Sequence, residues 1–367
     1  MKMNFFMPTK VIMEDNCVLN HAEEFAKLGK KAMLVTGRNS AKKNGAQDDV
    51  IRALTSQNME YVIFDKIMSN PTIPCVYEGA EFAKANGVDL IIAIGGGSPM
   101  DAAKAISLLA AQDIKEENLF SRNYGEAIIP MIHIPTTAGT GSEVTPYAIL
   151  TNDAKETKTS IGAPILFPSV ALCDPKYMMS LSKATTINTA IDALSHSVEG
   201  MLSVKANPAT NVLAMESIKC ISECFEGLKS GNLSLEERGK LLYASTLGGM
   251  VISHTGTTAV HSMGYGFTYF KDIDHGRANG LLLAEFMRVI EPEMKAVVEN
   301  ILSCMSLNSV DELKTWLADL LGEKEVVTKE EIEKFASIAI KAKNIANCPV
   351  KVTEEQLVGI YTKSMIG

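Results

Sequence analysis

The sequence predicts two domains of different class: an α/β domain with a mostly parallel sheet over residues 1–181 and an all-α domain over residues 182–367. Three observations carry this. The length of 367 residues exceeds the usual size of a single core. The first half alternates short runs rich in Val and Ile with helical-looking stretches, the rhythm of strands joined by crossover helices. From about residue 183 long amphipathic stretches follow one another, and no strand pattern appears after Leu181.

The opening NFFMPTKVIME is read as an extra strand pair. KAMLVTG (31–37), EYVIFDKI (60–67), VDLIIAIGGG (88–97) and IIPMIHIPTT (128–137) supply the main strands. Helix starts then mark the second half: Asn207 before Pro208, and Ser234 to Glu237, Ser309 to Glu312 and Thr328 to Glu331 in capping-box spacing. The border falls near residues 174–185.

The formal net charge of −8 and the lack of a basic stripe argue against nucleic acid or an anionic membrane as partner. No unbroken apolar run reaches the roughly 18 residues that span a bilayer, and Pro8 with nearby charges interrupts any signal-peptide core, so a cytoplasmic protein is expected. Seven cysteines without CxxC spacing read as reduced thiols. Cys220 and Cys224 fit buried structural positions on a helix whose apolar face is Val212, Met215, Ile218, Ile221 and Phe225.

IIAIGGGSPMDAAK (91–104) is a strand running through three glycines into a helix, where Gly96, Gly97 and Ser98 are suited to cradle a pyrophosphate. The unliganded reading is a tight strand-to-helix turn. Asp101 either acts toward the ligand or caps the helix and balances its dipole. The next polar turn, IPTTAGTGSEVTPYAILTN, offers Thr136, Thr137, Thr140 and Thr145 to a ribose or a nicotinamide amide, and Lys158 lies just beyond as surface charge or ribose contact. The first strand ends in TGRNSAKKNG. An acidic residue there would bond the adenosine 2'-hydroxyl of NAD and repel a 2'-phosphate. Gly37 takes that place, followed by Arg38, Asn39 and Ser40 with Lys42 and Lys43 close by, which favours NADP(H) over NAD(H).

AIDALSHSVE (190–199) sets Asp192 and His196 one helical turn apart on one face. A buried Asp–His bond and a solvated pair compete with a metal site. His261 and His275, in HSMGYGFTYFKDIDHG, would complete a set of one carboxylate and three imidazoles, which suits Fe(II), Zn(II) and Mn(II) alike. Of the other three of the six histidines, His21 fits a surface helix, His133 a satisfied core position and His254 a structural or supporting role.

GGGSPMDAAK, IPTTAGTGSEVTP, DALSHSVEG and HSMGYGFTYFKDIDHG, in this order and at these separations, resemble the iron-containing (group III) alcohol dehydrogenases. The resemblance runs from about residue 5 to the carboxyl end. It implies a dinucleotide-binding α/β domain and a helical metal-binding domain, the architecture shared with dehydroquinate synthase, and a homo-oligomer. It places metal ligands on Asp192, His196, His261 and His275, the pyrophosphate turn on Gly96, Gly97 and Ser98, nicotinamide and ribose contacts on Thr136, Thr137 and Lys158, and an Asn-Pro turn on Asn70 and Pro71. Several relatives carry a further histidine where this chain has Tyr265, whose phenol is suited to bond substrate or water. The acidic residue of NAD-preferring relatives falls on Gly37. The implied reaction is reversible hydride transfer between NADP(H) and a small primary alcohol or aldehyde, with iron as Lewis acid. A metal-dependent lyase resembling dehydroquinate synthase, which uses the nicotinamide only transiently, and a non-catalytic nucleotide-binding protein are the competing readings.

Overall fold

A computed structural model describes residues 3–366 apart from the Lys155 side chain. Met7–Leu181 forms one compact unit; Ser182–Gly367, joined by the segment ending at Phe6, forms the other.

Among the described residues the strands all fall in the first unit: β1 (Lys10–Met13), β2 (Lys31–Thr36), β3 (Glu60–Phe64), β4 (Leu90–Gly95), β5 (Met131–Pro135), β6 (Tyr147–Asn152), β7 (Thr157–Gly162) and β8 (Val170–Cys173). Six make one sheet in the order β1-β8-β5-β4-β2-β3, every pair parallel. β4 and β5 are buried at every position because helices cover both faces. Ile91 and Ala93 of β4 enter one core with Met33, Ile106 and Met131; Leu90, Ile92 and Ile94 enter the other with Leu34, Leu54 and Ile132. The alternation of side chains along the pleat thus feeds two apolar layers.

The chain order reverses between β2 and β4, since β2 leads outward to β3 and β4 leads the other way to β5. Such a switch point opens a crevice at the carboxyl ends of the strands. Gly37 follows β2 and Gly96 follows β4, and the two strands pair in register up to Thr36 and Ile94.

Two expectations for this unit are corrected. The opening segment provides one strand, β1, paired with β8, rather than a strand pair. The stretch read as a polar turn ends in a strand, β6, which forms an antiparallel hairpin with β7 just beyond it, in register from Tyr147 and Gly162 to Asn152 and Thr157.

Among the described residues the second unit is helical, and no helix is long and apolar enough to cross a membrane. Capping boxes start helices at Asn207, Ser234 and Thr328, and Ser309 accepts from the Glu312 N–H. Thr353 with Gln356 adds one that the sequence reading omitted. The Pro208–Glu223 helix buries Thr210, Ala214, Ser217, Ile218 and Ile221, whereas Val212 and Met215 are exposed. The expected apolar face was therefore displaced, because Ser217 faces inward to bond Ser197 Oγ at 2.7 Å and the Ala244 carbonyl at 2.8 Å. Cys220 and Cys224 are buried free thiols.

Candidate metal centre and phosphate cradle

The Lys183–Met201 helix begins on a Ser182 cap and is buried without interruption from Ala190 to Met201. Asp192 and His196 therefore project from one face into the unit rather than into water. The Ala259–Lys271 helix brings His261, and His275 opens the helix running to Cys304. Gly276 permits this approach: a Cβ there would lie 1.8 Å from the Asn188 carbonyl oxygen.

Asp192 Oδ1 is the hub. It lies 3.8 Å from His196 Nε2, 3.7 Å from His261 Nε2 and 3.8 Å from His275 Nε2. Asp192, His261 and His275 offer ligand atoms that all lie within 4.8 Å of one another. His196 stands just outside this tighter set, its ring stacked on His261 with centroids 4.8 Å apart. Tetrahedral bonds of about 2.1 Å put donors roughly 3.4 Å apart, so the observed spacings suit a divalent metal after small adjustment.

The charges agree. Burial pushes the Asp192 carboxyl up, but His196, His275 and His261 together with the Asn279 amide outweigh it and hold it below the ordinary carboxylate value. Glu199 is likewise held anionic: burial opposes ionisation, and His261 and Thr258 overcome it. Burial lowers the His261 pKa, but Glu199 and Asp192 raise it above the usual imidazole value. One buried carboxylate, Asp192, among three imidazoles, with Glu199 behind His261, forms a donor set that fits a cation.

Asn279 and Glu199 are the supporting residues that sequence reasoning missed. Asn279 Nδ2 lies 3.0 Å from Asp192 Oδ1, 3.2 Å from His261 Nε2 and 3.4 Å from His275 Nε2. Glu199 Oε2 bonds His261 Nδ1. A signal existed for both, since Glu199 falls two helical turns after Asp192 and Asn279 one turn after His275.

In the first unit the glycine turn and the threonine loop pack together. A Cβ on Gly96 would meet Thr137 Oγ1 at 2.9 Å, and one on Gly97 would meet Thr140 Cγ2 at 2.7 Å. The Gly97–Ala111 helix follows, so its first-turn N–H groups lie at the turn. Thr136 N–H bonds the Gly95 carbonyl at 2.9 Å. Asn70, in the left-handed region at φ 58°, donates its N–H to Ser98 Oγ at 3.1 Å and accepts from Lys158 Nζ at 2.6 Å. Gly96, Gly97, Ser98, Asn70, Thr137, Thr140 and Lys158 are thus one neighbourhood. Arg38, Asn39 and Ser40 are exposed beyond β2, where Lys42 pairs with Asp65 at 3.0 Å.

Asp101 and Thr145 lie deeper than expected. Asp101 is not a helix cap: it accepts from Ser142 Oγ at 2.6 Å and from the Ile149 N–H at 2.9 Å. Fully buried Lys104 donates to Ser142 Oγ at 2.7 Å, Thr145 Oγ1 at 3.1 Å and the Tyr147 carbonyl at 2.7 Å. Burial pushes this lysine down to about 8, against the pull of Asp101 and Glu143. These bonds tie the helix after the glycine turn to the threonine loop and the hairpin.

Residues 8–175 match the family model of iron-containing alcohol dehydrogenase, and residues 186–365 match that of the carboxyl-terminal part of the Fe-containing alcohol dehydrogenase family. The chain is 31% identical to 1,3-propanediol dehydrogenase of Klebsiella pneumoniae over 98% of this chain and 96% of that protein. It belongs to the iron-containing alcohol dehydrogenase family. An iron-containing alcohol dehydrogenase from Thermotoga maritima superposes with a TM-score of 0.92 at 38% identity, covering 99% of each chain. The NAD-dependent methanol dehydrogenase of Bacillus methanolicus is 28% identical over 93% of this chain and 91% of that protein.

In this member of the family Tyr265 stacks on His275, with centroids 5.5 Å apart and planes 11° from parallel. His254 is occupied elsewhere: Phe5 stacks on it at 4.3 Å and the Phe6 N–H donates to its Nε2 at 2.8 Å, so it anchors the opening segment. His133 is a buried core residue, as expected, and it lies beside the Ser142 backbone. Burial and the charge of Lys104 hold its pKa well below the ordinary value, which keeps the ring neutral.

Proposed function

We propose that the chain interconverts small aldehydes and primary alcohols, using NADP(H) as hydride carrier and Fe(II) as metal. The observation that carries this reading is the buried carboxylate–imidazole set converging on Asp192. Asp192, His196, His261 and His275 are the residues that would hold the metal. When bound, the metal supplies Lewis acidity toward the substrate oxygen and the nicotinamide supplies or takes the hydride. The protein's own part is to hold these groups. Asp192 contributes a fixed negative charge, and the burial around it excludes water. Tyr265, stacked on His275, is suited to orient a substrate hydroxyl or a water. The N–H groups following Gly96 and Gly97, with Ser98, receive the pyrophosphate, while Thr136, Thr137, Thr140 and Lys158 contact the ribose and nicotinamide and Asn70 holds the turn near the cofactor. Asp101 and Thr145 support this loop through Ser142 and Lys104.

NADP preference rests on Gly37, which leaves room for a 2'-phosphate beside Arg38, Asn39 and Ser40. The relative from Bacillus methanolicus is named NAD-dependent, so the coenzyme is the first thing to measure. A Cβ at Gly37 would meet only the Ile67 carbonyl at 3.3 Å and Ser40 Oγ at 3.8 Å, so Gly37→Asp is accommodated with a small shift. With short aldehydes as substrates, wild type is expected to consume NADPH with a higher kcat/KM than NADH. Gly37→Asp is expected to move that ratio toward NADH by about tenfold or more, through repulsion of the 2'-phosphate. An unchanged ratio contradicts the coenzyme assignment, and no consumption of either coenzyme contradicts the reaction.

A further inference from the structure

Glu199 is fully buried and makes two kinds of contact with the helix that carries His261. One oxygen, Oε1, accepts from the Thr258 N–H at 2.8 Å, from Thr258 Oγ1 at 2.6 Å and from the His261 N–H at 3.4 Å. Thr258 is the cap residue of that helix, and its own side chain does not close the first turn. Glu199 does so from the neighbouring helix, at the end where the dipole favours an anion. The other oxygen, Oε2, bonds His261 Nδ1. A carboxylate only accepts, so Nδ1 carries a proton, and in the neutral ring, the form that can ligate a metal, Nε2 then keeps its lone pair. That lone pair lies on the side of Asp192 Oδ1, 3.7 Å away, and Asn279 Nδ2 is within 3.2 Å of it as a donor.

We propose that Glu199 is a positioning residue which fixes His261 in the tautomer with Nε2 free and thereby sets the affinity of the Asp192-centred site for a divalent metal. The proposal rests on the metal reading above. Glutamine at 199 separates this role from packing, because it keeps the shape and reverses one hydrogen bond. Its amide nitrogen avoids the Oε1 position, which faces two backbone N–H donors. It takes the Oε2 position instead and donates to His261 Nδ1. The ring proton then moves to Nε2, where it blocks the lone pair a metal needs.

The test measures Zn(II) affinity by competition with a chromogenic chelator in the full-length protein, together with the unfolding temperature. Glu199→Gln is expected to weaken Zn(II) about 10–100-fold while the helical signal stays that of wild type. Thr258→Val, which removes one donor to Oε1 and leaves the Nδ1 bond, is expected to keep affinity within about threefold of wild type. Equal affinity of Glu199→Gln and wild type overturns the proposal and leaves the metal reading intact. Failure of wild type itself to bind Zn(II) or Fe(II) overturns both. Should Glu199→Gln not fold, the nitrogen chemical shifts of His261 in the wild-type protein decide: a proton on Nδ1 supports the proposal, and a neutral ring protonated on Nε2 overturns it.

Discussion

Gly276→Ala is expected to destabilise the helical unit by about 3 kcal/mol or more and to lower its metal content at the same time. The added Cβ would stand 1.8 Å from the Asn188 carbonyl oxygen, 2.7 Å from its carbonyl carbon and 2.9 Å from Asp192 Cβ. The first two atoms are backbone, so no side-chain rotation relieves the contact. The helix starting at His275 must instead move away from Lys183–Met201, which carries His275 away from Asp192. Thermal unfolding and metal analysis of the purified variant read both effects. A variant with the melting temperature and metal content of wild type contradicts the packing described for this interface.

The second large effect is expected from Asp192→Asn. The side chain keeps its size, but the anion within 3.8 Å of three imidazoles is lost. Metal content is expected to fall and aldehyde-reducing kcat/KM to drop by about 10³-fold or more, as loss of several kcal/mol of charge stabilisation implies. His261→Ala is expected to do the same at a greater cost in stability, because it leaves Glu199 buried without its imidazole partner. Retention of both metal and turnover in Asp192→Asn would remove this residue from the site.

The parts of the fold that were readable in advance share a physical reason. β2, β4 and β5 are buried on both faces, so they appear as unbroken apolar runs between polar turns. The hairpin of β6 and β7 stayed hidden because β7 is the polar run TKTSIG and the turn before it holds no glycine, Glu156 itself taking φ 46°. Val212 and Met215 misled because periodicity weighs hydrophobicity alone, whereas Ser217 turns inward to make hydrogen bonds. In the site, Asp192 and His196 stood out by their spacing on one helix. Glu199, two turns further along the same helix, drew no reading because its partner His261 is 62 residues away. Asp101 was open between a ligand contact and a helix cap for a similar reason: its Ser142 partner is 41 residues further on.

The central claim is that the site built on Asp192 is what makes aldehyde reduction possible, and removal and return of the metal tests it most directly. The protein is stripped with chelator under anaerobic conditions, Fe(II) or Zn(II) is restored, and NADPH loss is followed with short aldehydes. The account predicts negligible consumption by the stripped protein and recovery on adding Fe(II). Full NADPH consumption by the metal-free protein, or none after Fe(II) is shown to have rebound, would contradict it.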